Sequence, residues 1–131
     1  MPSVCIYILI HFTIFACGED FDESDDLAKL AEIRNEISVI VGEAACSEQP
    51  ECRFIGLGAK PCGGPWKYLI YSSVDTDTTG LTNKVKEYND WNLIINKRYE
   101  YISDCTVAEP PELECLDGKC IDRNKLTGDE P

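Results

Sequence analysis

Residues 52–72 read CRFIGLGAKPCGGPWKYLIYS, two short runs of β-forming residues separated by a Gly/Pro-rich loop. Arg53 to Leu57 is a candidate strand, and the loop that follows demands backbone angles that other residues resist. Trp66 to Tyr71 is rich in aromatic and branched residues suited to a pleated surface. Trp66, Tyr68 and Ile70 fall on one face and Lys67, Leu69 and Tyr71 on the other. Apolar groups on both faces predict a central, covered strand.

Helical periodicity flanks this core on both sides. Leu27, Leu30, Ile33, Ile37, Ile40 and Val41 recur at steps of three and four, predicting a helix over about 25–41. Ser24 is the expected N-cap, aspartates follow in the first turn, and Gly42 is the expected stop. Leu81, Val85, Tyr88, Trp91 or Asn92, Ile95 and Tyr99 trace a second helix over about 81–99, with caps available in Val74 to Thr79. Pro110-Pro111 interrupts regular structure, and Asp117-Gly118 between two short runs signals a hairpin. The expected fold is a small disulfide-stapled α+β domain: two helices on a short, mainly antiparallel sheet of three or four strands, with a C-terminal hairpin.

The bulk numbers place that domain. The 131-residue chain has a net charge of −12, which argues against nucleic-acid binding because no basic surface displaces counterions. Glu19, Asp20, Asp22, Glu23, Asp25 and Asp26 form an acidic run read as a solvated tether; without it the balance is about −6. Eight cysteines in a short chain point to an oxidising compartment. The spacings Cys46-x5-Cys52-x9-Cys62 and Cys105-x9-Cys115-x4-Cys120 contain no C-x-x-C pair, so no zinc site and no other cofactor is expected. Residues 1–16 read as a signal peptide, with an apolar stretch too short to span a bilayer and no lysine or arginine before it.

Ile14-Phe15-Ala16-Cys17-Gly18 resembles a bacterial lipobox, although Phe15 replaces the usual small or polar residue. That resemblance implies a diacylglycerol on Cys17 as the new N-terminus. Cysteine parity agrees: with Cys5 removed and Cys17 acylated, Cys46, Cys52, Cys62, Cys105, Cys115 and Cys120 permit three disulfides, whose connectivity spacing leaves open. Cys115 and Cys120 can bridge across their turn or each reach back to the Cys46–Cys52 segment. The expected organisation is signal peptide 1–16, acidic tether 17–26, globular domain 27–121 and polar tail 122–131.

The blocks Cys46-x5-Cys52, Lys60-Pro61-Cys62-Gly63-Gly64-Pro65-Trp66-x-Tyr68-Leu69 and Cys115-x-Asp117-Gly118-Lys119-Cys120 resemble small exported bacterial proteins described only as lipoproteins or hypothetical proteins. The likeness covers about residues 46–121. It implies export and one folded unit, and it carries no catalytic residue across.

Candidate chemistry is sparse. The only histidine, His11, lies in the leader, so no Ser–His or Cys–His pair is available to the mature chain. Asp75-x-Asp77-x-Thr79-Gly80 opens like a calcium loop, but position 12 is Lys86 where a bidentate glutamate belongs. Trp66, Tyr68, Tyr71, Tyr88, Trp91, Tyr99 and Tyr101 are read mainly as core, with a carbohydrate platform as the alternative. The candidate binding loop comprises Lys60, Pro61, Gly63, Gly64 and Trp66, read as a glycine-shaped turn presenting an exposed lysine, with φ > 0 at Gly63 or Gly64. The leading expectation is a non-enzymatic envelope lipoprotein with a binding or structural role: a membrane held through its lipid, and a protein or glycan ligand whose identity stays open. The alternative is a secreted protease inhibitor using Lys60-Pro61-Cys62.

Overall fold

The computed structural model describes residues 21–125; the leader, Cys17 and residues 126–131 lie outside the described residues. Two helices, α1 (Glu23–Val41) and α2 (Thr78–Arg98), pack on each other and on a ribbon of β1 (Cys52–Leu57) and β2 (Lys67–Ser72). A second ribbon, β3 (Leu113–Leu116) and β4 (Lys119–Asp122), follows. Both ribbons are antiparallel. This is the small, disulfide-stapled α+β domain expected, with one difference: the strands form two separate two-stranded ribbons instead of one sheet of three or four.

Local signals place the elements well. Gly42 ends α1 with φ 58°, a conformation costly for a residue with Cβ. Asp117 and Gly118 both have positive φ, 50° and 78°, as a two-residue hairpin turn requires. The N-cap of α1 is Asp22 rather than Ser24; the Asp22 carboxylate accepts from the Ser24 N–H at 2.8 Å. Four of the six acids therefore belong to the cap and first turn of α1, not to a tether. A carboxylate accepts there more strongly than a hydroxyl, and the helix dipole favours its charge. At the other end, Asp122 closes β4 and Arg123–Lys125 forms a 3-10 turn, so the folded part extends beyond Ile121.

Ile33, Ile37 and Val41 from α1, Leu81 and Val85 from α2, Leu57 from β1, and Cys52 and Cys120 form one buried cluster. Three disulfides tie the fold together, two of them through the hairpin. Cys46–Cys115 and Cys52–Cys120 tie the 46–52 segment to the two strands of the hairpin, where Cys115 and Cys120 are cross-strand partners. Cys62–Cys105 ties the Gly/Pro loop to the segment after α2. The hairpin cysteines thus reach back, and no bridge crosses their own turn. Each link closes a loop of 43 to 69 residues, for which chain entropy alone is worth about 4 kcal/mol.

Candidate functional site

The β1–β2 register pairs Arg53 with Tyr71, Ile55 with Leu69 and Leu57 with Lys67. The Ser73 N–H donates to the Glu51 carbonyl at 2.8 Å, which makes those three the hydrogen-bonded pairs by alternation. The Trp66 N–H also donates to the Leu57 carbonyl, at 3.1 Å, so Trp66 and Lys67 together oppose Leu57 in a one-residue bulge. The backbone groups of Gly56 then point out of one edge of the ribbon, and those of Tyr68 and Ile70 out of the other.

The Gly56 edge is closed by α2. Asn89, Asn92 and Asn96 lie three and four residues apart, on one helical face. Asn89 accepts from the Gly58 N–H at 2.7 Å and donates to the Gly56 carbonyl at 3.2 Å, taking the place of a neighbouring strand. Asn92 accepts from the Ala59 N–H at 2.8 Å, and Asn96 donates to the Ala59 carbonyl at 2.6 Å. Asn92 and Asn96 are buried. In the sequence they were the polar interruptions of an apolar stripe, the one signal that could have marked them.

Lys60 follows directly, and here the expected exposed lysine is overturned. Lys60 is 6% exposed. Its ammonium donates to the Thr106 carbonyl at 2.6 Å, the Thr106 hydroxyl at 3.0 Å and Asp104 at 3.3 Å, using all three N–H bonds. The Trp66 ring lies 5.1 Å away. Asp104 is held below the usual carboxylate range, first by the Thr106 hydroxyl, then by the Thr106 N–H and by Lys60. Lys60 therefore pins the 99–112 segment to the Gly/Pro loop, beside Cys62–Cys105. Sequence position suggests solvent for a lysine next to Pro61; only the fold brings Thr106 to it.

Gly63 and Gly64 both have positive φ, 97° and 80°, as expected of this turn. A Cβ at either would meet nothing within 4 Å, so the demand is conformational and not a steric clash. Gly58 is the crowded one: at φ 82°, a Cβ there would come within 2.6 Å of the Trp66 ring. Trp66 thus packs closely against a glycine, with 44% of its surface exposed.

On the Tyr68 edge the ribbon is open, and β2 is an edge strand, not the central covered one expected. Among the described residues, the Tyr68 and Ile70 backbones have no hydrogen-bond partner outside the ribbon. A groove of about 170 Å³ runs there, between Trp66, Lys67, Tyr68 and Ile70 on one side and Glu109 and Pro111 on the other. Asp122 and Lys125 also line it. Phe54 meets Tyr68 edge-on with ring centres 5.1 Å apart. The aromatic set is accordingly split. Tyr71, Tyr88 and Trp91 pack on the core, and Tyr99 and Tyr101 bond to Asp26 and Glu23. Trp66 and Tyr68 remain at the groove.

The sulfurs of Cys46, Cys52 and Cys120 lie within 4.8 Å of one another, but each is half of a disulfide and offers no thiolate to a metal. Compared with protein-family models, curated proteins and solved structures, the chain matches none.

Proposed function

We propose that the protein is a non-enzymatic, exported binding domain, held to a bacterial membrane by a lipid on Cys17 and using the β2 groove as its binding surface. The observation that carries this reading is the pairing of all six cysteines from Cys46 onward into three disulfides. Such a framework needs an oxidising compartment, and it leaves Cys17 outside the structural set. The lipobox-like Ile14-Phe15-Ala16-Cys17 then supplies a use for that thiol. The inhibitor reading gains nothing from the fold, because a lysine that spends its three donors internally has none to offer a specificity pocket.

Fractionation of cells expressing the full chain tests the anchor. Wild type should partition into detergent and carry a diacylglyceryl mass increment, and Cys17→Ser should release it; a soluble wild type of unmodified mass refutes the lipid. Alkylation of the unfolded, unreduced protein should label none of the six later cysteines, and two or more labelled positions refute export into an oxidising compartment.

A further inference from the structure

We infer that the groove beside β2 binds a saccharide unit bearing a carboxylate, an inference that rests on the binding-domain reading above. Two grooves compete for attention. The larger, about 330 Å³, lies between α1 and α2, but its charges are already used. Lys86 pairs with Asp90, Glu87 with Lys84, and Lys29 sits over the Trp91 ring at 3.8 Å. The β2 groove is the reverse case. The side chains of Lys67, Glu109 and Lys125 make no hydrogen bond or ion pair among the described residues. Unpaired cations are unexpected in a chain with twice as many acids as bases. Lys67 has its basicity lowered, first by burial and then by Arg34 and Lys125, and the carboxylates of Glu109 and Asp122 line the same groove without forming an ion pair with either lysine.

The remaining groups fit a sugar ring. At about 170 Å³ the groove is below the range of about 300 Å³ and more usual for drug-sized ligands, and it suits a single ring. Trp66 packs against Gly58 and is 44% exposed, an aromatic surface on which the C–H face of a pyranose can stack. The outward N–H and C=O groups of Tyr68 and Ile70 and the free Glu109 carboxylate complement hydroxyls, which both donate and accept. Lys67 and Lys125 supply charge-assisted bonds for a carboxylate. An extended acidic peptide would share the charge preference but has no ring face to stack on Trp66, and the titration below separates the two.

Calorimetric titration of the full chain in detergent micelles, with oligogalacturonate, a neutral malto-oligosaccharide of equal length and poly-glutamate, tests the site. Oligogalacturonate should bind at least about tenfold more tightly than either competitor, and weaken as salt rises. Trp66→Ala and the charge-removing Lys67→Gln should each lower its affinity about tenfold or more with the thermal melt retained, while Lys86→Gln in the helix groove changes nothing. Equal binding of the neutral sugar, equal binding of poly-glutamate, no heat at about 10 mM oligogalacturonate, or full affinity in both groove variants each overturns the inference. The anchor is read separately: a soluble, unacylated wild type removes the lipid and leaves the titration standing, and a null titration leaves the lipid standing.

Discussion

The two edges of the β1–β2 ribbon are finished in opposite ways. Along Gly56 to Ala59, three asparagines of α2 bond the outward backbone groups, so helix and strand lock together without a third strand. Along Tyr68 and Ile70 no such side chain arrives, and a groove with unpaired charges lies in its place. An exposed strand edge is ordinarily a hazard, blunted by lysine or by covering it with proline-rich chain. Here Lys67 stands on the edge strand and Pro111 lines the groove beside it, but the outward backbone groups of Tyr68 and Ile70 stay without a partner among the described residues. The same ribbon therefore has a structural side and a side with bonding capacity to spare, and mutations should separate them.

The largest effect should come from the closed edge. Asn89→Ala leaves the Gly58 N–H and the Gly56 carbonyl without partners, at about 3 kcal/mol. Urea unfolding should show that loss, and Lys67→Ala on the open edge should stay within about 0.5 kcal/mol of wild type. A reversed order would mean the asparagine bonds are exchanged for water at no cost.

Lys60→Ala comes next, at about 2 kcal/mol, because the buried Thr106 and Asp104 contacts lose their cation. A lysine exposed on this turn, as the sequence suggested, would instead cost no more than about 0.5 kcal/mol to remove. Gly63→Ala and Gly64→Ala should each cost about 1 kcal/mol, from backbone strain alone, since the new methyl meets open space. Gly58→Ala should cost more than either, because strain and the Trp66 contact add.

The smallest effect is a pH dependence where Asp26 of α1 meets Tyr99 and Arg98 at the end of α2. The Tyr99 hydroxyl, then Arg98, hold the Asp26 carboxylate below its ordinary value against an opposing effect of burial. A depressed folded pKa means stability that is present above the unfolded value, about 3.9, and is lost as pH falls through the folded one. Melting curves of wild type and Asp26→Asn should therefore converge below about pH 4. A gap unchanged at low pH would show that Asp26 acts through packing and not through charge.

The sequence was legible wherever one residue answers a local demand. Gly42, Asp117-Gly118 and the Gly63-Gly64 turn each meet a backbone requirement within a few residues, and the two helices repeat their apolar stripe often enough to be read directly. Even the choice between Ser24 and Asp22 as cap concerned neighbours competing for the same N–H groups. What tertiary structure alone decided was which distant group each polar residue meets. Cys115 and Cys120 could have closed their own turn, Lys60 could have faced water, and the asparagines of α2 could have lain on its solvent side. Their partners are 31 to 69 residues away. A hydrogen bond or disulfide over that distance depends on how the elements pack, and nothing in the local spacing of residues encodes it.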